Sequence, residues 1–311
     1  MTTLTIIVPC YNEEEVLPET NTRLVLLLDQ LQCQGKISID SHICYIDDGS
    51  SDHTWTLIEN QAALDSRIHG IKLSRNRGHQ NALIAGLLTV DGDVVVSIDA
   101  DLQDDISVIE KMIDSYHDGK DVVYGVRRKR KLDTVFKRST AEAYYKLLKW
   151  TGVDIVSNHA DFRLMSRRSI NALKEYKEVN LFLRGIIPTI GFPSSTVTYD
   201  RSERFAGESK YPLRKMLTLS IDGITSFSAL PLRMVAGLGV IIFLFTLTTS
   251  IWVIWHRFVS GDAIPGWASS VLPMYFLGGV QLLSIGIVGE YVAKIYMETK
   301  KRPHFFIEKI I

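Results

Sequence analysis

A regular alternation of two apolar patterns, from residue 4 to residue 124, constrains the fold of this chain more than any other feature of its sequence. Short β-type apolar runs predict strands at residues 4–8, 42–46, 68–73, 93–98 and 121–124. Apolar residues at helical spacing predict helices at residues 16–31, 52–64, 79–88 and 106–116. This alternation is typical of a parallel sheet with helices on both faces, in which ligands bind beyond the carboxyl ends of the strands.

Polar motifs follow directly after three of the predicted strands. They are Pro-Cys-Tyr-Asn-Glu at residues 9–13, Asp-Asp-Gly-Ser at 47–50 and Asp-Ala-Asp-Leu-Gln-Asp at 99–104. The carboxyl ends of neighbouring parallel strands lie at one edge of a sheet, so we expect these motifs to line a single crevice. That coincidence of polar residues with strand ends indicates a functional site.

The acidic turn at residues 99–104 is the strongest chemical signal. Asp99 and Asp101 offer two carboxylates and Gln103 an amide oxygen, which are hard ligands suited to Mg²⁺ or Mn²⁺ shared with phosphate oxygens. A metal held there would neutralise a diphosphate leaving group. The alternative is a solvated acidic turn, and the position at a carboxyl strand end favours the metal.

The other two motifs indicate a nucleotide. Tyr11 offers a ring face to a base and Glu13 an acceptor, while Asp48 would accept bonds from ribose hydroxyls or from a base. A turn and helix cap formed with Ser50 is the alternative for the second motif. No GxGxxG or GxxxxGK[ST] pattern follows any predicted strand, which disfavours a dinucleotide fold and a P-loop.

Charge and cysteine content exclude some classes of protein. The 35 Lys and Arg residues balance the 35 Asp and Glu residues, so no net charge attracts the chain to nucleic acid. The three cysteines (Cys10, Cys33 and Cys44) have no CxxC spacing, and we expect reduced, buried side chains rather than a disulfide framework or a zinc site. The apolar run at residues 4–8 is too short for a secretory signal.

The C-terminal quarter contains two uncharged apolar runs, at residues 234–255 and 271–289. Each is long enough to cross a bilayer core of ~30 Å, with a polar turn between them at 256–267; a buried soluble hairpin is the alternative. Lys and Arg residues flank the pair on both outer sides, which predicts that both ends face the cytoplasm. Residues 209–229 have mainly helical apolar spacing, which fits either an interfacial helix or an ordinary amphipathic helix.

The motifs together resemble the family 2 glycosyltransferases of GT-A fold. Two further stretches add to the resemblance, Leu-Ser-Arg-Asn-Arg-Gly-His at residues 73–79 and Arg-Phe-Ala-Gly-Glu-Ser-Lys-Tyr at 204–211. With the two apolar runs, they are similar to the polyprenyl-phosphate glycosyltransferases, which include bactoprenol glucosyltransferase and, more distantly, dolichyl-phosphate mannose synthase. The resemblance covers essentially the whole chain.

The resemblance implies a role for each matching position. Nucleotide-sugar binding falls to Pro9, Tyr11, Asn12, Glu13, Asp48, Arg201, Arg204 and Lys210. The metal falls to Asp99, Asp101 and Gln103, and the acceptor phosphate to Arg127, Arg128 and Arg138. The catalytic set is Asp99, Asp101, Arg127 and Asp161.

Alternatives stay open for Asp161, for the run of cations and for two histidines. Asp161 would either orient the sugar or form an ion pair with a nearby Arg. The five cations at residues 127–131 would collect a lipid phosphate and attract anionic lipid, or form a solvated surface. His79 and His159 are interpreted as structural, or at most as lining the substrate site.

The implied reaction is transfer of a sugar to undecaprenyl phosphate with inversion of configuration. The favoured sugar is glucose, with UDP-glucose as its donor. The lipid-phosphate sugar would serve cell-surface glycan modification such as O-antigen glucosylation. The resemblance implies Mg²⁺ or Mn²⁺, a homo-oligomer such as a tetramer, and an inner-membrane location with the catalytic domain in the cytoplasm. The predicted domains are a catalytic domain at 1–205, a donor loop and interfacial helix at 206–232, and two transmembrane helices with a short tail at 233–311. The alternatives are another sugar (mannose, galactose or an aminoarabinose derivative) or a non-catalytic membrane scaffold.

Overall fold

The computed structural model describes residues 1–128, 159–178, 183–200, 230–260 and 267–311. The strands are β1 (Leu4–Cys10), β2 (His42–Asp47), β3 (Ile68–Leu73), β4 (Val94–Ser97), β5 (Val122–Arg127), β6 (His159–Ser166), β7 (Ser194–Tyr199) and β8 (Ile307–Ile310). The helices are α1 (Leu17–Cys33), α2 (Thr54–Leu64), α3 (His79–Thr89), α4 (Val108–His117), α5 (Arg167–Lys174), α6 (Leu183–Thr189), α7 (Leu230–Ser260) and α8 (Trp267–Lys300). Several predictions lie outside the described residues, namely those for Arg138, Arg201, Arg204, Lys210, the segment 209–229 and the cations at 129–131.

One sheet contains all eight of the strands just named, in the order β7-β5-β6-β4-β1-β2-β3-β8. Strands β1 to β5 and β7 run in one direction, while β6 and β8 run against their neighbours. The predicted α/β fold with a mostly parallel sheet is therefore confirmed. The sequence pattern gave neither the insertion of β6 between β4 and β5 nor the existence of β8.

Apolar cores lie on both faces of the sheet, because successive side chains of a strand point to opposite faces. Strand β1 is buried along its whole length, with Ile6 and Val8 on one face and Ile7 on the other. Helices α1, α2 and α4 pack on the first face, and α3, α5 and α6 on the second. Burying each such aliphatic side chain stabilises the fold by about 1.5–3 kcal/mol. The sheet is thus a rigid platform for the loops at its edge.

The expectation that the three cysteines are buried is correct for Cys10 and Cys44 and wrong for Cys33. Cys33 is the last residue of α1, two positions after the buried Leu31. A step of two residues rotates a helix by more than half a turn, so Cys33 points away from the core.

The end of the chain returns to the sheet after α8. Strand β8 pairs antiparallel with β3, and the backbones of Gly70 and Ile311 exchange hydrogen bonds of 3.0 and 2.9 Å. The Lys72 ammonium lies 3.0 Å from the Glu308 carboxylate across the same pair of strands. The predicted tail is therefore an edge strand of the sheet rather than a free end.

The two long C-terminal helices coincide with the two predicted spans. On α8, Leu282, Leu283 and Ile285 are exposed apolar side chains. By length and composition, one helix in the described part of the chain could cross a membrane, at Phe276–Lys300. The crossing of a membrane by α7 and by α8 stays a prediction.

Candidate active site

The loops after β1 and β2 are bound to each other at the carboxyl edge of the sheet. The Asn12 amide N–H donates to Ser50 Oγ at 3.0 Å, and the Ser51 N–H donates to Asn12 Oδ1 at 2.9 Å. Asn12 has a φ of +53°, in a region that Asn tolerates better than most residues. These bonds fix the positions of Tyr11, which is exposed, and Glu13 beside it. The loop that is predicted to bind the nucleotide is thus held in place by hydrogen bonds to the loop after β2.

Asp48 joins a third loop to this pair. Its carboxylate accepts the backbone N–H of Arg77 at 2.7 Å and that of Gly78 at 2.8 Å, and it is almost fully buried. Burial raises the pKa of Asp48, whereas the two amide bonds lower it. The nucleoside role of Asp48 stays a prediction, and the structure adds that this carboxylate holds the 76–78 loop.

Gly49 permits the close approach of those loops. Its φ is +68°, and a Cβ there would lie 2.6 Å from backbone atoms of Arg75 and Asn76. A side chain at this position would both strain the backbone and displace the third loop.

The acidic turn follows β4 at the middle of the crevice. Asp101 Oδ1 accepts the Gln103 N–H at 3.2 Å, and Leu102 between them has a φ of +54° with a buried side chain. Burial raises the pKa of Asp99; the charge of His79 lowers it, and neighbouring carboxylates, Asp161 first, raise it again. The Asp99 carboxylate therefore lies among other carboxylates, whose effect the charge of His79 partly offsets.

His79 lies between two of these carboxylates, because it is the first residue of α3 and points back into the crevice. Its Nε2 is 3.5 Å from Asp99 Oδ1 and 3.6 Å from Asp161 Oδ2. Burial opposes the charged imidazole, but the hydrogen bond to Asp161 and the charge of Asp99 outweigh it and raise the pKa to about 9. A pKa of about 9 favours the charged imidazole at neutral pH, and the interpretation of His79 as structural, or at most as lining the substrate site, stays a prediction.

Asp161 is the anion of an ion-pair cluster. Its carboxylate binds the Arg163 guanidinium and, at 3.0 Å, Nη2 of Arg184. Burial would raise the pKa of Asp161, but the bond to His79 and the charges of the two arginines hold it well below the usual range. Of the two alternatives for this residue, the structure contains the ion pair; the role toward a sugar stays a prediction.

Arg127 ends β5 on the other side of the acidic turn. Its Nη2 is 3.1 Å from Oδ1 of Asp104, a buried carboxylate at the end of that turn. Arg128, also predicted for the acceptor, is exposed and pairs with exposed Asp200 at 3.2 Å. The structure therefore brings Arg127 to the crevice and leaves Arg128 at the surface.

The sequence analysis missed Arg184 and Tyr199, which come from elements distant in the sequence. Arg184 lies on the short helix α6, and Tyr199 is the last residue of β7. Tyr199 had one usable signal, its position at the end of a strand, but β7 itself was not predicted. The contacts of Arg184 with Asp161 and of Tyr199 with Asp104 form only when elements far apart in the sequence pack together.

The residues of the turn can be tested against the predicted metal. Among the described residues, no group of three or more His, Cys, Asp and Glu side chains is arranged to hold a metal ion. For the predicted metal, the protein would supply the carboxylates of Asp99 and Asp101 and the amide oxygen of Gln103. Mg²⁺ is commonly held by one or two carboxylates together with substrate phosphates, so this donor set fits a cation shared with a diphosphate.

Comparison with known proteins now decides the family. Residues 5–174, more than half of the chain, match the family described as Glycosyl transferase family 2. The chain belongs to glycosyl transferase family 2. The chain is therefore a sugar-transferring enzyme, and its mostly parallel sheet is a GT-A type of α/β fold.

Curated family 2 relatives extend over nearly the whole chain. The uncharacterized glycosyltransferase YkoT of Bacillus subtilis (strain 168) is 50% identical over 307 residues, covering 98% of this chain and 91% of that protein. A protein named prophage bactoprenol glucosyl transferase homolog, from Escherichia coli (strain K12), is 38% identical and covers 99% of both chains. The bactoprenol glucosyl transferase of Shigella phage SfX is 39% identical and covers 98% of both. The similarity thus includes the C-terminal helices as well as the catalytic sheet.

Proposed function

We propose that this family 2 enzyme transfers a sugar to the phosphate of a polyprenyl lipid. The favoured sugar is glucose, with UDP-glucose as its donor. The observation that carries the proposal is the opposition, within one crevice, of a crowded acidic turn and the fixed guanidinium of Arg127. Relatives of nearly equal length that are named bactoprenol glucosyl transferase support both the lipid and the sugar. A non-catalytic membrane scaffold, the alternative function, would have no need of such a site.

The donor side of the crevice is suited to a nucleotide diphosphate. Asp99, Asp101 and Gln103 would hold Mg²⁺ or Mn²⁺, which when bound neutralises charge on the leaving diphosphate. Tyr11 and the loops fixed by Asp48 would receive the nucleoside. Burial and then the neighbouring carboxylates raise the pKa of Asp99, and a bound cation would favour its ionised form.

The acceptor side is suited to a phosphate monoester. Its second pKa is ~6, so at neutral pH it is largely a dianion and needs no strong general base. The chain must instead hold two anionic substrates together, which Arg127 does through charge and oriented N–H donors. Attack by the phosphate oxygen on the anomeric carbon, in line with the departing diphosphate, inverts the sugar configuration.

The membrane part of the proposal extends the described helices. We propose that residues 234–255 and 271–289 both cross the bacterial inner membrane, with a catalytic domain at 1–205 in the cytoplasm and a donor loop and interfacial helix at 206–232. The enzyme would then bind the lipid phosphate at the membrane surface. We propose that it acts as an oligomer such as a tetramer, and that its product serves surface-glycan modification such as O-antigen glucosylation. A cysteine placed at Asp262 should react with an impermeant thiol reagent from outside the cell; labelling only from the cytoplasm would contradict this topology.

The reaction is tested with purified protein, undecaprenyl phosphate and a set of radiolabelled nucleotide-sugars. We expect glucosyl lipid from UDP-glucose, and Asp101→Ala should abolish transfer while the protein still folds and inserts. Transfer only from another donor would change the sugar and keep the reaction. Near-normal activity of Asp101→Ala in EDTA would contradict the metal assignment.

The acceptor assignment is tested by a pair of variants in the cationic run. Arg127→Ala should lower acceptor kcat/KM by roughly ten- to a hundredfold, since a charge-assisted contact contributes ~1.5–3 kcal/mol. Lys131→Ala should cost much less, and its effect should shrink as salt rises. Equal losses that both disappear in salt would mean that the run only attracts the membrane.

A further inference from the structure

Three residues from different elements meet at the acceptor side of the crevice. Arg127 and Tyr199 are the last residues of β5 and β7 and lie opposite each other in the parallel pairing. The Tyr199 hydroxyl donates to Asp104 Oδ1 at 2.6 Å. Arg127 Nε lies 3.2 Å from the same hydroxyl and 3.3 Å from the same carboxylate oxygen, and its Nη2 lies 3.1 Å from that oxygen. The guanidinium is thus held on one edge by two neighbouring groups.

Both holding groups are themselves fixed by burial. The side chain of Asp104 is 1% exposed, and Tyr199 is 2% exposed with its ring edge-on to Phe162 at a centroid distance of 5.4 Å. Asp104 Oδ2 is buried and has no hydrogen-bond partner among the residues described here. All the hydrogen bonds described for this carboxylate are therefore made by its other oxygen, to Tyr199 and Arg127.

The opposite edge of the guanidinium remains open. An Arg side chain has five N–H donors, and these contacts use the one on Nε and one on Nη2. In the described part of the chain, Nη1 has no protein partner, and the side chain of Arg127 is 28% exposed. Donors on Nη1 and Nη2 in a fixed plane match the oxygens of a phosphate.

We propose that Asp104 and Tyr199 are positioning residues that hold the guanidinium of Arg127 in the orientation that receives the acceptor phosphate. A long cationic side chain loses less freedom on binding when it is already fixed, and this improves both affinity and alignment. Asp104 also belongs to the turn that carries Asp99 and Asp101, so one segment sets the spacing between the donor and acceptor sides. The proposal rests on the acceptor role of Arg127 proposed above.

The test is a double-mutant cycle on the full-length enzyme, with undecaprenyl phosphate and UDP-glucose as the probes. Tyr199→Phe keeps the ring on Phe162 and removes the hydroxyl, and should lower acceptor kcat/KM by about two- to tenfold, the size of one lost hydrogen bond. The KM for UDP-glucose should hardly change. In an Arg127→Ala background, the same substitution should have no further effect, because the group that it positions is gone.

Two more variants complete the design. Asp104→Asn keeps the shape of the side chain and should also lower acceptor kcat/KM only when Arg127 is present. Tyr176→Phe is the matched control, since it loses a hydroxyl contact of 3.2 Å to Thr189 that involves none of the crevice residues named here. Circular dichroism identifies any variant that is not folded.

The outcomes separate the two proposals. If Arg127→Ala weakens acceptor use while Tyr199→Phe and Asp104→Asn do not, the positioning role is wrong and the acceptor site stands. If Tyr199→Phe costs the same with and without Arg127, it acts independently and the positioning role is again wrong. If Arg127→Ala leaves acceptor kcat/KM unchanged, the acceptor assignment fails, and the positioning role fails with it.

Discussion

The substitution Asp161→Asn should destabilise the protein far more than an ordinary change at an active site. It removes the negative charge shared by Arg163, Arg184 and His79 while keeping nearly the same volume. The Arg163 side chain has no exposed surface, and its Nη1 already has no hydrogen-bond partner in the part of the chain that the structure describes. The variant would therefore leave a fully buried guanidinium without its carboxylate.

The magnitude follows from burial. Removing one partner of a buried ion pair costs about 3–5 kcal/mol. In a domain of about 150–250 residues, 1 kcal/mol shifts Tm by about 2–4 °C, so Asp161→Asn should lower Tm by roughly 6–20 °C. The pair between Arg168 and Asp121 is the control, because Arg168 is 62% exposed. An exposed pair contributes about 0.2–1 kcal/mol, so Arg168→Ala should lower Tm by less than about 4 °C.

Thermal unfolding followed by circular dichroism on the detergent-solubilised full-length protein makes the measurement, with transfer activity assayed in parallel. A Tm of Asp161→Asn within the range of the Arg168→Ala control would refute the argument that this carboxylate is needed to neutralise Arg163. If activity is then lost at unchanged Tm, Asp161 acts on the sugar instead.

Three further predictions concern other parts of the molecule. Gly49→Ala should lower Tm, since the left-handed backbone alone costs an L-residue about 1–2 kcal/mol, and should weaken UDP binding in calorimetry because the third loop must move; unchanged UDP affinity would contradict the loop argument. Near pH 8 a thiol reagent should label exposed Cys33 quickly and Cys44 only on unfolding, because burial raises the pKa of Cys44 to about 12; equal labelling rates in the folded protein would count against this. Lys309→Ala, in a mostly exposed pair with Glu59, should change stability by at most about 1 kcal/mol in urea unfolding, and a larger loss would mean that β8 depends on this pair.

The sequence predicted the first half of the fold well, because local apolar periodicity decides it. The helix at 79–88 was predicted to within one residue of α3, and the strand at 68–73 coincides with β3. Strand β6 was harder, since it enters between β4 and β5 against their direction, and no local pattern encodes the partner of a strand.

The same division applies to the site. The acidic turn was predicted because it follows a strand of the parallel set, whereas Arg127 was assigned from the resemblance to the family. The contacts of Asp161 and Asp104 depend on Arg184 and Tyr199, which come from elements that pack there only in the folded chain. Which charged side chains pair with each other depends on the fold, and the spacing of motifs in the sequence does not predict it.

The return of β8 to the sheet limits how far the sheet can move from α8. Only residues 301–306 connect Lys300 to β8, and an extended chain spans at most ~3.6 Å per residue, so the two remain within about 25 Å. The tether also contacts the loop after β3, since the Ser74 N–H donates to the Phe306 carbonyl at 3.0 Å. If α8 is anchored in a bilayer, the enzyme searches a two-dimensional surface rather than a volume. Its rate would then follow the mole fraction of acceptor lipid in the membrane, and diluting the vesicles in buffer would leave that rate per enzyme unchanged.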